Sequence, residues 1–393
     1  MRIGQTDMVG NAGRILMSTA LVSTLGVASV QAAQCYEEGL RAPVGYYQIP
    51  EARDGGSYNC EVIEPYRGDM NFTSKYKGSD SARNELNEDA YQAYLDATGA
   101  IRGFEKTVIA GADDYQVDGD GPAARDCVLD NLDNWAQADA LLPDEINHVG
   151  QAVRKWALAA AANAYLRVKL SSADSALDPA RLNRIEAWFD RVANGVRGYY
   201  TDREPRKVNN HDYWAAWAVM ATSVATEDCG HWNWSMSKFE EAMGQISSDG
   251  YLPKELSRQD RALEYLNYAM QPLTAIAVFA EVNGVSVHER YGDAFKTLAQ
   301  NVVTGLDDAS AIEAITGYPQ ISDGLHTAWG LAWMRPWTET WGDLPGMNAF
   351  MTSYGPVKNT RLGGDIEFLY RVDPLWPTGR EPFPPGEIRI DFN

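Results

Sequence analysis

Residues 156–170, WALAAAANAYLRVKL, and 213–226, YWAAWAVMATSVAT, decide the fold class. In both, apolar residues recur at spacings of three and four, Ala with Leu in the first and Ala with Trp in the second, which is the period of a helix and not the alternation of a strand. Residues 263–282, LEYLNYAMQPLTAIAVFAEV, and 327–333, TAWGLAW, read the same way. All four are predicted to be buried or half-buried helices, and more polar helical stretches at 178–196 and 290–306 lie between them. An apolar helix following a polar one, several times over, predicts an all-α ring of helical hairpins, inner helices enclosed and outer ones half exposed. An irregular helical bundle has the same periodicity, so the pattern leaves both open.

Outside these segments the signals are weaker. Residues 53–83 and 111–126 are rich in Gly, Asp and Ser and read as loops; long loops in a compact domain often serve as lids or binding loops. Residues 335–358 mix Trp, Pro and Gly without a period and read as irregular, and the proline-rich 374–385 reads as extended. Strand-like alternation is confined to 387–392, EIRIDF.

At the start of the chain, Arg2 and Arg14 precede an apolar, small-residue run from Ile15 to Val30 that ends Val30-Gln31-Ala32-Ala33. That is the pattern of a secretory signal. The run is shorter than the roughly 20 strongly apolar residues of a membrane span. Residues 1–32 are therefore expected to be removed and 33–393 to form one exported domain, since no Pro/Gly/Ser-rich linker divides the remainder. Four cysteines, Cys35, Cys60, Cys127 and Cys229, remain for an oxidising compartment, where they pair in any of three complete connectivities. None stands in a CxxC arrangement, which argues against zinc, and the acidic run from Asp113 to Gly121 lacks the spacing of an EF-hand. A net charge of −20 argues against nucleic acid. It leaves room for a polyanionic sugar, because a cleft needs only a local cationic excess such as Arg203, Arg206 and Lys207, or Lys254, Arg258 and Arg261.

Four segments carry candidate chemistry. In Lys207-Val208-Asn209-Asn210-His211-Asp212-Tyr213-Trp214, paired asparagines and one of only five histidines run into an apolar helix; capping of that helix is the competing explanation. In the segment from Tyr251 to Tyr268, Arg261, Tyr265 and Tyr268 are spaced i, i+4 and i+7, so one helix face presents a guanidinium two turns from a phenol. A nearby arginine favours the phenolate. The same spacing also describes an exposed arginine beside two half-buried tyrosines. The segment from Phe72 to Arg83 mixes basic, aromatic and small residues, and that from Asn147 to Trp156 offers an aromatic for sugar stacking or for the core. Trp214 shares that ambiguity, and Trp217 reads as core.

Together these stretches, FTSKYKGSDSAR at 72–83, NHVGQAVRKWAL at 147–158, NNHDYWAAWAVM at 209–220 and DGYLPKELSRQDRALEYLNYA at 249–269, resemble the periplasmic, mannuronate-specific alginate lyases (polysaccharide lyase family 5). A shorter echo is Arg361-Leu362-Gly363-Gly364. The likeness runs from about residue 40 to 310, and 313–360 departs from it. The resemblance implies a single-domain, incomplete (α/α) barrel with a substrate tunnel or cleft. It places Asn210, His211, Arg261 and Tyr268 at the catalytic positions, Lys75 and Tyr76 on a lid loop, and Asn147, Lys155, Trp156, Trp214 and Tyr265 among the substrate contacts. It further implies a Cys60–Cys127 disulfide and gives Cys35 and Cys229 no counterpart. No metal or cofactor is expected. The expected partner is an anionic polysaccharide, mannuronate-rich alginate, met in the periplasm by a monomer, with alginate-secretion machinery as a further partner.

The expected chemistry follows from the substrate. Elimination removes the C5 proton beside a carboxylate whose charge opposes a carbanion, so donors such as Asn210 and His211 must neutralise it. In β-D-mannuronate the C5 hydrogen and O4 share a ring face, so Tyr268 can serve as base and then as acid, with Arg261 favouring its phenolate. In α-L-guluronate they lie on opposite faces, and His211 is the second group available. A lyase for polyglucuronate or hyaluronan, or a non-catalytic polysaccharide-binding protein, are the alternatives. A glycoside hydrolase would need two positioned carboxylates, and none stands out.

Overall fold

The computed structural model describes residues 39–48, 58–77 and 85–371. The proposed signal, Cys35, the end of the 72–83 motif, the proline-rich stretch and the 387–392 alternation lie outside them. Fourteen helices occur among the described residues, α1 Glu88–Ala97, α2 Gly99–Gln116, α3 Pro122–Gln137, α4 His148–Leu170, α5 Pro179–Tyr200, α6 Asn210–Thr226, α7 Cys229–Gln245, α8 Pro253–Leu256, α9 Ala262–Val282, α10 Val287–Asp307, α11 Ser310–Thr316, α12 Met334–Trp341, α13 Met347–Tyr354 and α14 Ile366–Leu369. One two-residue antiparallel pair, β1 Lys358–Asn359 with β2 Gly364–Asp365, closes a short turn.

Helices α2, α4, α6 and α9 pack side by side in that order, and α3, α5, α7 and α10 lie outside them. The sequences explain the two layers. From Gly150 to Val168, α4 is buried apart from the half-buried Trp156, and α6 and α9 are buried over most of their length, as their all-round apolar composition requires. On α5 only the stripe Ile185, Trp188, Phe189, Val192, Ala193, Val196 and Tyr200 is buried, a helical spacing of three and four. α10 buries a similar stripe. The layered order is that of helical hairpins in a ring, not of an irregular bundle. No helix among the described residues is long and apolar enough to cross a membrane.

Three expectations are corrected. Residues 111–126 are not a loop throughout, since α2 runs to Gln116 and α3 starts at Pro122; Asp113 and Asp114 hide a face on which Val108, Ala112 and Tyr115 are buried. Residues 327–333 form turns, in which the Thr327 hydroxyl takes the Gly330 amide, so their apolar pattern reflects burial of Leu331, Ala332 and Trp333 in the core and no helix. Residues 335–358 contain α12 and α13: Pro336 sits in the first turn, where its missing amide breaks no helical bond, and Gly342 and Gly346, at positive φ, separate the two.

Cys60 and Cys127, separated by 67 positions, form a disulfide that ties the segment before α1 to α3. Cys229 is also disulfide-bonded.

Candidate active site

The N-terminal ends of α4, α6 and α9 converge on one cleft of about 700 Å³. Free amides and aligned peptide dipoles make such ends favourable for anions. Lys75, Arg102, Arg261 and Arg361 line the cleft against two carboxylates, Glu264 and Asp323. A chain of net charge −20 thus keeps a cationic excess where the helices begin.

At the start of α6 the two asparagines divide the work. Asn209 is the cap: its side chain accepts from the His211 amide at 2.9 Å, while Asp212 accepts from the Asn209 amide at 3.0 Å, completing a capping box. Asn210 is thereby free of capping. Its amide and its Nδ2 donate to the two oxygens of buried Glu255, at 2.8 and 2.9 Å, and its Oδ1 has no hydrogen-bond partner among the described residues. Burial raises the Glu255 pKa, against the opposing charge of Arg258 and the bonds from Asn210.

His211 stands next on the same turn. Its Nδ1 lies 2.8 Å from Lys155 Nζ, and its ring is 5.2 Å from His148 and 6.1 Å from Trp156. Burial first, then Lys155 and His148, push the imidazole well below its usual pKa of 6.5, so it is neutral near pH 7.

Tyr268, on the second turn of α9, is layered between Trp214 at 5.2 Å and Trp329 at 5.8 Å. Neighbouring Asn267 holds this turn by bonds to Gly330 and to the Trp333 indole. Pro272, four residues on, supplies no amide to the Tyr268 carbonyl. Burial raises the phenol's pKa, and the opposing influence on it comes from the charge and hydrogen bonding of Arg361.

That arginine corrects the expected pairing of Arg261 with Tyr268. Arg261 forms an ion pair with Glu264, donates to the Tyr76 hydroxyl at 3.0 Å, and lies over the Tyr76 and Tyr265 rings. The Tyr76 phenol feels burial upward, but Lys75, Tyr265 and Arg261 bring its pKa below the ordinary value, whereas burial and Tyr76 raise that of Tyr265. Arg361 stacks on Trp156 at 4.2 Å and meets buried Glu105 at 3.4 Å. Its backbone is pinned by the Trp217 indole, 2.7 Å from its carbonyl, and by Asn359. The turn beyond it needs glycine: at Gly364, φ is +99° and an added Cβ would meet Asp113 and Arg167 within 2.9 Å.

Of the residues expected at the site, Asn210, His211, Arg261, Tyr268, Lys75, Tyr76, Trp156 and Tyr265 line this cleft. Three expected contacts do not. Asn147 caps α4 through the Gly150 amide and ties Phe72, Lys155 is fully buried beneath His211, and Trp214 is buried behind Tyr268. Their places in matching motifs reflect support of the site from behind. The reading of Trp217 as core holds. His148, Tyr94, Arg102, Trp329 and Arg361 line the cleft without having been singled out for it. Arg361 and Trp329 come from turns far along the chain; the sequence signalled Arg361 only through the short Arg361-Leu362-Gly363-Gly364 echo, and Trp329 read as part of an apolar helix.

A helical toroid whose inner helices open onto a cationic cleft, with a phenol, an imidazole and an amide at its floor, defines a class of protein built around acidic sugar chains. The alginate lyase family model matches residues 71–312, and the chain belongs to that family. It is 39% identical over 360 residues to an alginate lyase of Azotobacter vinelandii, covering 91% of this chain and 95% of that one. It is 38% identical over 361 residues to an alginate lyase of Pseudomonas fluorescens, covering 91% and 96%. Among solved structures, alginate lyase A1-III from Sphingomonas species A1 matches with a TM-score of 0.69 at 24% identity, over 84% of this chain and 91% of that one. A tetrasaccharide complex of alginate lyase A1-III matches with a TM-score of 0.70 at 25% identity, over 84% and 90%. The incomplete (α/α) barrel expected from the sequence is thus the fold observed.

Proposed function

We propose that this chain is a polysaccharide lyase that cleaves alginate by β-elimination, with mannuronate blocks preferred. The observation that carries the reading is the meeting of Tyr268, His211, Asn210 and two arginines around one cleft. With a mannuronate ring in place, the second Nδ2 hydrogen of Asn210, the one not given to Glu255, and the neutral His211 donate to the C5 carboxylate, stabilising the charge that grows there as the proton leaves. The Tyr268 phenolate takes the C5 proton. The C4–O4 bond then breaks as C4=C5 forms, and the same phenol returns its proton to O4, leaving a 4,5-unsaturated non-reducing end and a new reducing end. Arg361 replaces Arg261 as the cation that favours the phenolate, and Arg261 instead holds Tyr76 and Tyr265 across the cleft. No step needs a metal or cofactor.

The reading extends to setting: an exported periplasmic protein, its first 32 residues removed, acting as a monomer, with alginate-secretion machinery as a further partner. The test is the rise of ultraviolet absorbance from the unsaturated end on separate polymannuronate, polyguluronate and polyglucuronate. Fastest release from polymannuronate is expected. Equal rates on polyglucuronate would remove the substrate assignment, and new reducing ends without absorbance would indicate hydrolysis.

A further inference from the structure

Lys155 is fully buried, and among the described residues no carboxylate lies within ion-pair distance of it. Its Nζ donates to the Tyr200 hydroxyl at 2.9 Å and lies 2.8 Å from His211 Nδ1, and burial pushes its pKa well below the usual 10.5. The Tyr200 and Trp156 rings stand 4.8 and 5.2 Å from Nζ. The nearby acid, Asp212, is engaged by Arg203 at 2.9 Å. Burying a cation without a paired anion is expensive, and a methionine would fill the same volume without that penalty. Packing alone does not account for a lysine here.

The histidine supplies the reason. A neutral imidazole carries its proton on one nitrogen, and the hydrogen bond at the other decides which. Where Nζ donates to the ring, the nitrogen it meets must be unprotonated, and the Tyr200 hydroxyl and His211 Nδ1 together take two of the hydrogens that the lysine carries, charged or neutral. We propose that Lys155 is a positioning residue that fixes His211 as the Nε2–H tautomer, making the imidazole a donor to the substrate carboxylate. Without it the ring can place its proton on Nδ1 and turn a lone pair towards the sugar, where it repels the carboxylate. Tyr200 holds Nζ from the other side and keeps it aimed at the ring. The inference rests on the lyase reading above, in which His211 meets the carboxylate.

The test uses the full mature protein with ¹⁵N-labelled histidine. At neutral pH the His211 ring is expected to show a protonated Nε2 and an unprotonated, hydrogen-bonded Nδ1; the reverse assignment overturns the proposal without any variant. Lys155→Met, checked for folding by circular dichroism, should lower kcat on polymannuronate by about 100-fold, the scale of losing one oriented donor, with KM changed less than about threefold. A raised KM at unchanged kcat would make Lys155 a substrate contact and defeat the idea. In a His211→Ala background, Lys155→Met should cause no further loss, and a second full loss there also defeats it. Should Lys155→Met not fold, Tyr200→Phe is the substitute: kcat falls at constant KM, and an unchanged kcat with an unchanged tautomer overturns the role given to this network. Ordinary turnover by His211→Ala alone would instead remove the catalytic reading while leaving the tautomer measurement standing.

Discussion

Tyr268 sits at a balance between burial, which holds its proton on, and Arg361, which favours its release. Burial dominates, so the resting group is a phenol, and turnover that requires the phenolate should rise with pH through the mildly alkaline range. Tyr268→Phe is expected to fold normally and lose nearly all turnover, measured by product absorbance. Arg361→Met should lower kcat and move the alkaline rise of the kcat profile to higher pH, because the cation that most favours the phenolate is gone; an unmoved profile would return that role to another group. His211 gives a stability signature of opposite origin. Its folded pKa is depressed below 6.5, so the unfolded chain binds the proton more readily. The stability it contributes is complete above about pH 6.5 and is lost as pH falls towards the depressed value. Thermal unfolding followed from pH 8 to 5 should show this decline, and His211→Gln should flatten it. Resemblance to the family pointed to Asn210, His211 and Tyr268, since residue identity and spacing left capping and half-buried tyrosines as competing explanations. It could not distinguish Lys155 beneath the histidine from Lys75 beside the cleft, since depth is a property of packing and not of spacing.

Among the helices, α4, α6 and α9 were legible because sequences apolar on every side have no stable place but an inner layer. The start of α6 was harder to read, as Asn209 and Asn210 are chemically the same residue. Only geometry shows that the first closes the capping box and the second faces Glu255. Asn209→Ala should therefore cost about 1 kcal/mol in a urea titration. It should also lower kcat, because the turn that carries Asn210 and His211 loses its anchor; a stability loss with full turnover would separate the cap from the site. The turns at 327–333 misled because Trp and Leu that fill a core can fall at helical spacings by chance. Likewise the Cys60–Cys127 bridge, which joins positions 67 apart, was suggested by resemblance and not by spacing. Its removal by Cys60→Ser with Cys127→Ser should destabilise the protein by about 2–4 kcal/mol.

On the scale of the whole molecule, the overall acidity and the cationic cleft act together on a polyanion. Attraction at the cleft is screened within about 8–10 Å at ordinary ionic strength, so kcat/KM on polymannuronate should fall as salt is raised from 0.05 to about 0.5 M. A flat response would mean that charge has little part in capture. Arg361 and Trp329 complete this cleft from the last third of the chain, which is why the earlier motifs yielded half of it. The acidic exterior has one more effect. Its net charge of −20 opposes the approach of a uronate chain to the molecule as a whole, so capture depends on the local cations of the cleft. Short cleaved fragments, meeting fewer of those cations, are held less tightly against the same net repulsion and should leave more readily than the polymer.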